Sequence, residues 1–341
     1  MPENTLEPIS PRDAYDWYLD AQTQEYSTNT IYAHKSRLGH FLRWCDQTGI
    51  DNMNQIDGRK VERYKTWRQR EGGLNKVSLR TQTSTLKVFL SWCASIDAVH
   101  PHVAENVRVP SVSKREKKRT KDADPEQILA ALDYLRKFHY ATNKHVALTL
   151  LWETAMRTGG LHSLDFGDYY PRKAYLKLKH RPETGTTLKN GESGERPVAL
   201  NDRTCNLLDD YLENTREPTQ DKYGRDPLIT TSFGRAAKGT IRMWTYKYTQ
   251  PCRIGLECPG GRNPDVCEAR QEHEQCATCP YNYHPHALRG ASITHHLNDG
   301  WPVNNLSERV DASPEVINDH YDEPTDGDRL DRQWRFMDEH S

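Results

Sequence analysis

The stretch from His100 to Ala123 constrains this chain most, because it has too little apolar material for a core of its own. Pro101 and Pro110 oppose helix formation there, and Ser113 to Lys121, SKREKKRTK, carries six basic residues and one acid. Residues 101–123 therefore read as a basic interdomain linker. They divide the 341-residue chain into residues 1–100 and 124–341, each long enough to fold on its own.

The two parts have different patterns. In the first, Ser10-Pro11 is a helix start, an N-cap followed by Pro at N1, and Ala14, Tyr15, Tyr18 and Leu19 fall on one stripe. A second helix begins at Ser27 or Thr28, repeats Ile31, Leu38, Phe41, Leu42 and Cys45 at helical spacing, and ends at Gly49. A third runs from Asp57 to Arg70 and is broken by Gly72-Gly73. A fourth, Val77 to Ile96, presents Leu79, Leu86, Phe89, Leu90 and Trp92. The pattern predicts a helical domain of four or five helices.

After the linker, Asp124-Pro125-Glu126-Gln127 restarts a helix. The next, from Thr142 to Met156, is expected to stop at Gly159-Gly160 with Arg157 at its end. Alternation in Ala174–Lys179 and Arg196–Leu200 predicts a small sheet, with a hairpin bearing Lys189. Asn201 caps a further helix carrying Leu207, Leu208, Tyr211 and Leu212, and another lies near Thr240 to Thr249. His284 to Tyr321 reads as two or three more helices. The fold class is mainly α with a small β-sheet.

No run of about 18 apolar residues offers a membrane span. The opening MPENTLEPIS has neither a basic n-region nor an apolar h-region, so an intracellular, cytoplasmic protein is expected. A net charge of -1 excludes a uniformly basic binder, but the charge is uneven. Arg59 to Lys87 holds nine Lys/Arg against two acids, and Glu308 to the end eleven acids against four Arg. A basic front face and a basic linker suit a nucleic-acid backbone. In the acidic tail, Leu330, Trp334, Phe336 and Met337 are spaced to dock on a neighbouring protomer or on their own domain.

Cysteine usage is uneven too. Cys45, Cys93 and Cys205 sit among apolar residues as buried thiols. The other five lie between Cys252 and Cys279. Such clustering in an intracellular chain favours metal over disulfides. Cys258, Cys267, Cys276 and Cys279 are the expected ligands of a structural Zn²⁺, with Cys252 and His273 in reserve.

The chemistry-bearing residues run in order through the second part: Arg157, Lys189, His286 with Arg289, and Tyr321. A guanidinium fork matches phosphate oxygens, and a phenolic oxygen can form a covalent intermediate. Thr154-Ala155-Met156-Arg157-Thr158-Gly159 resembles the first arginine box of the tyrosine recombinase (phage integrase) family. His286-Ala287-Leu288-Arg289 resembles the second box, and Asp319-His320-Tyr321 the nucleophile segment. Lys189 sits where the family keeps a hairpin lysine, and Ser27-Thr28-Asn29-Thr30 with Tyr32 looks like the opening of its helical core-binding domain. The style is that of archaeal members.

This resemblance implies a helical SAM-like core-binding domain, a mixed α/β catalytic domain, and two domains that clamp double-stranded DNA. It further implies a homo-tetramer on paired sites and recombination through a 3′-phosphotyrosyl intermediate, without ATP or a catalytic metal. Tyr321 would be the nucleophile, Arg157 and Arg289 the fixed cations, His286 a hydrogen-bond donor or acid/base, and Lys189 the proton source for the leaving oxygen. The chain departs from the family pattern at Gly160, where an acid is usual, and at Gly290, where a His is frequent. It departs again at Asp311, which takes the place of a second His or Trp in the sixth catalytic role. Two other readings share these residues: an inactive DNA-binding regulator on the same fold, and a type IB-like topoisomerase.

Overall fold

The structure is a computed structural model that describes residues 5–113, 116, 123–272 and 274–321, and single residues 327, 330, 333, 334 and 337. Most of the basic run in the linker, His273, and most of the acidic tail, including Phe336, lie outside the described residues. The chain forms two compact units, Met1–Arg119 and Thr120–Ser341, each taken below on its own. No helix among the described residues is long and apolar enough to cross a membrane.

The first unit is helical: α1 (Pro11–Ala21), α2 (Thr28–Thr48), α3 (Gly58–Glu71), α4 (Lys76–Ser95) and the short α5 (Pro101–Glu105). Its helix starts are fixed by side-chain oxygens that accept from orphan backbone N–H groups. Ser10 accepts from Asp13 at 3.0 Å, Asp57 from Lys60 at 2.7 Å and Asn75 from Ser78 at 2.9 Å. Gly49 closes α2 in the left-handed region at φ 69°, which costs glycine least. The apolar stripes meet in an aromatic core where Tyr18 lies edge-on to Phe89 at 5.3 Å. Pro101 does not block a helix but opens one at its first position, where the missing N–H is no loss. Val103, Ala104 and Val107 consequently join this core, which extends past residue 100.

In the second unit, α6 (Pro125–Phe138), α7 (Asn143–Thr154) and α8 (Thr158–Ser163) precede a three-stranded antiparallel sheet, β1 (Tyr169–Tyr170), β2 (Tyr175–Leu178) and β3 (Arg196–Ala199). Then come α9 (Asp202–Asp210), a small hairpin β4 (Thr230–Thr231) and β5 (Gly234–Arg235), α10 (Lys238–Tyr248) and α11 (Glu268–Gln271). The unit closes with α12 (Pro285–Asn298), α13 (Val303–Val310) and α14 (Pro314–His320). Helix α7 is buried from His145 to Trp152 except at Thr149, so its apolar residues occur all round rather than as a stripe. Leu176, Leu178 and Val198 point into the same core from the sheet, with Leu176 paired to Val198.

The glycine pair corrects one expectation. Helix α7 ends at Thr154, because Ala155 turns left-handed at φ 47°, and Gly159-Gly160 lie inside α8. A Cβ on Gly160 would stand 2.8 Å from Leu178 Cδ2. The glycine is there for close packing on β2, and a carboxylate has no room at that position. Arg157 consequently stands at the N-terminus of α8, not at the C-terminus of α7.

Beside the sheet, Asp168 is 1% exposed and accepts from Arg181 at 2.7 Å and from the Asp165 N–H at 2.9 Å. Lys179 stands 2.9 Å away. Burial pushes this carboxyl up, but the bonds from Arg181, Asp165 and Lys179 outweigh it and hold it below the usual carboxylate range. A depressed folded-state value means the unfolded chain binds more protons, so this stabilisation is complete above the unfolded value and lost as pH falls through the folded one. Asp168→Asn is expected to cost about 2 kcal/mol at pH 7 by removing the nearer carboxylate from Arg181, which keeps Asp165 at 3.5 Å. In denaturant unfolding followed downward from about pH 4, wild type and variant should converge.

Candidate active site

Helix α12 sets the site. His284 caps it, its Nδ1 accepting from the Ala287 N–H at 3.0 Å. Burial pushes this imidazole down, which keeps it neutral and able to accept. Pro285 takes the first position. The helical register then leaves His286 exposed and turns Arg289 inward to 2% exposure. Arg289 Nη1 donates to the carbonyl of Ala155, the residue whose left-handed turn ends α7. Burial and the like charge of Arg157 push Arg289 down, whereas a hydrogen bond with Tyr321 and the charge of Asp311 hold it up. A guanidinium stays charged under such shifts. Its Nε is buried with no hydrogen-bond partner among the described residues.

Tyr321 follows α14, whose start is capped by Ser313. Its N–H donates to Ile317 at 2.9 Å and its carbonyl accepts from Thr294 of α12 at 2.8 Å. The ring lies over Gly290, where a Cβ would sit 3.5 Å from Cε1; a large side chain would displace it. The His286 ring is 6.4 Å from the Tyr321 ring at 78°. Tyrosine, arginine and histidine thus meet at one end of α12.

Arg157 joins this group through Asp311. Its Nη1 donates to Asp311 Oδ2 at 2.7 Å, while Oδ1 accepts from Asn190 at 2.8 Å. Asp311 ends α13 in the left-handed region at φ 56°, a conformation Asp and Asn tolerate better than most residues. Both carboxylate oxygens accept hydrogen bonds here, so Asp311 acts by positioning Arg157. Lys189 is exposed on the long β2–β3 connection. The structure brings its neighbour Asn190, rather than Lys189 itself, onto Asp311.

Sequence reading missed Arg196. Its Nε donates to the Arg309 carbonyl at 2.8 Å, its Nη1 to the Gly194 carbonyl at 2.8 Å, and Asp311 is 3.9 Å away. Burial first, then repulsion from Arg289, Arg157 and Arg309, lowers it to about 10, against the pull of Asp311. The signal was present: Arg196 alternates with Val198 on β3 and so shares its inward face. Asp311→Asn keeps the left-handed turn but removes the charge that offsets Arg196 and Arg157. It should lower unfolding free energy by about 2 kcal/mol in denaturant titrations, with slower strand cleavage as Arg157 loses its anchor.

The expected metal set is not brought together as a group. All eight cysteines are free thiols, and Cys276 is buried with its Sγ toward the Met243 carbonyl at 3.9 Å. That pocket, together with bonds from Gln250 and Asn282 to its carbonyl, gives Cys276 a packing role. Among the described residues no three His, Cys, Asp or Glu side chains form a group placed to hold an ion. Cys45, Cys93 and Cys205 are buried, as expected.

Residues 13–95 match the family model described as "Phage integrase, N-terminal SAM-like domain". Tyrosine recombinase XerC of Serratia marcescens is 26% identical over 155 residues, 46% of this chain and 50% of that protein, so the chain spans half the length of this relative. XerC of Escherichia coli O157:H7 is 25% identical over 227 residues, covering 65% of this chain and 69% of that protein. XerC of Bacillus pumilus is 24% identical over 297 residues, covering 87% and 86%. Among solved structures, the Tn1549 transposon integrase in complex with a circular intermediate DNA aligns at a TM-score of 0.65, with 15% identity over 96% of this chain and 99% of that one. A lambda integrase tetramer bound to a Holliday junction aligns at 0.63, with 15% identity over 95% and 81%. The structural likeness gives the fold alone, a SAM-like helical unit followed by a mixed α/β unit. In its ordered boxes, its matched front unit and the relatives that extend across the second, the chain is similar to tyrosine recombinases.

Proposed function

We propose that this chain is a site-specific DNA recombinase that cuts and rejoins duplex DNA through Tyr321. The observation that carries this reading is the convergence at one end of α12, where the Tyr321 ring lies over Gly290, next to the buried Arg289, and 6.4 Å from the His286 ring. Tyr321 Oη attacks the scissile phosphorus, a P–O bond to tyrosine forms, and the bond to the 5′-oxygen breaks. The phenolic proton leaves through His286 or solvent, and Lys189 gives a proton to the departing 5′-oxygen. Lys189 serves this role by movement of the β2–β3 connection when DNA is bound. Arg289 and Arg157 hold the non-bridging oxygens as charge builds on them, and the buried Arg289 Nε is a donor ready for one. Asp311 positions Arg157. The phosphotyrosyl bond conserves the energy of the broken linkage, so attack by another strand's 5′-hydroxyl completes exchange.

No step here calls on a metal, and a zinc ion in the cysteine-rich segment would serve the fold alone. Exchange between two duplexes requires four such nucleophiles, hence a tetramer on paired sites, working on DNA in the cytoplasm. The test uses wild-type protein and nicked duplexes carrying candidate sites. The expected result is a denaturant-stable complex holding the strand upstream of the cut, with a free 5′-hydroxyl fragment. Binding without a covalent complex supports the regulator reading instead, and relaxation of plasmids without paired-site exchange supports the topoisomerase reading.

A further inference from the structure

The cysteine-rich segment holds four thiols around one small cavity, and they are not the four that spacing suggests. Cys252, Cys258, Cys267 and Cys279 line a cavity of about 10 Å³, whereas Cys276 is buried elsewhere. We propose that these four cysteines are the ligands of one structural Zn²⁺, with Cys276 a packing residue outside the site. This inference is independent of the DNA chemistry above.

Size is the first argument. A volume of about 10–15 Å³ is what one water-sized sphere needs, so the cavity suits a single ion and no organic ligand. Donor chemistry is the second. Four sulfurs and no carboxylate or imidazole line it, and a thiolate set of that kind selects tetrahedral Zn²⁺ over hard cations.

The charge around the cavity is the third argument, and it bears on the four cysteines that line it. As arranged, they do not form a ready-made metal group, so the ion would draw them inward to bonds of about 2.3 Å. Zinc binding would release four thiol protons and leave a dianionic centre. Arg262 and Arg270 both line the cavity. Arg270 Nε is buried without a hydrogen-bond partner among the described residues, a donor that a thiolate would satisfy.

The surrounding segment explains what such a staple would hold. Gln127 of α6 donates to the Thr249 carbonyl at 2.6 Å and the Tyr281 carbonyl at 2.8 Å, and the Tyr283 N–H donates to Thr249 at 2.9 Å. Both ends of the segment are thus pinned beside each other, just before His284 caps α12. A metal closing the segment between them fixes where α12 begins, and with it His286 and Arg289.

The test is made on full-length protein purified with zinc alone in the buffer. Elemental analysis should give one zinc per chain, retained in Cys276→Ala and reduced at least tenfold in Cys252→Ser. To separate metal loss from misfolding of Cys252→Ser, wild-type protein is also alkylated before and after chelation and mapped by mass spectrometry. Cys252, Cys258, Cys267 and Cys279 should be protected only while metal is bound, with Cys276 labelled equally in both states. Wild type without zinc, protection of Cys276 in place of Cys252, or recovery of the four as disulfides would overturn the assignment.

Discussion

Tyr321→Phe is expected to bind its DNA as tightly as wild type and to form no covalent complex, a loss of at least about 10⁴-fold in cleavage, as befits removal of a nucleophile. The substitution removes one oxygen and little else. The ring stays over Gly290 and against His286, and the bonds to Ile317 and Thr294 are made by main-chain atoms. The fold should lose no more than about 3 kcal/mol, the upper worth of a hydrogen bond to a charged group such as Arg289. Gel shifts in parallel with denaturing gels separate the two effects. A variant that still cleaves would place the nucleophile elsewhere.

Arg289→Lys should slow cleavage by about 10² to 10³-fold, the usual loss when a preorganised donor to a developing oxyanion is removed. The exchange keeps a cation but not the fork. Arg289 already spends Nη1 on the Ala155 carbonyl and makes a bond with Tyr321. It still has donors for a phosphate, whereas an ammonium has three and no fixed plane. An ammonium buried to the same depth would also tend to give up its proton. Single-turnover cleavage on a nicked duplex, with DNA affinity measured alongside, is the appropriate readout. Loss of binding in step with cleavage would assign Arg289 to docking instead.

Much of this was legible because the local signals were strong. Ser10, Asp57 and Asn201 each cap the helix that follows, and the strand alternation of Tyr175–Leu178 became the middle of the sheet. The site residues were found by their order along the chain, which survives folding. What escaped depended on contacts distant in sequence. Gly159-Gly160 resembles a helix stop, yet Gly160 answers to Leu178 across a packed interface. Ala155 carries no residue-type signal for its left-handed turn, which the surrounding core enforces. Arg196 read only as the first residue of a predicted strand, its inward contact with Asp311 set by the fold, and Cys276 matched a ligand spacing that burial overrides. Pro101 was ambiguous by nature, since the ring that breaks a helix interior is welcome at its first position.

The most direct measurement is to trap the complex on a nicked duplex, digest both protein and DNA, and sequence the nucleotide-bearing peptide by tandem mass spectrometry. The proposed chemistry requires the phosphate on the oxygen of Tyr321, joined to the 3′ end of the cut strand. A phosphate on any other residue, or a 5′ linkage, would contradict it.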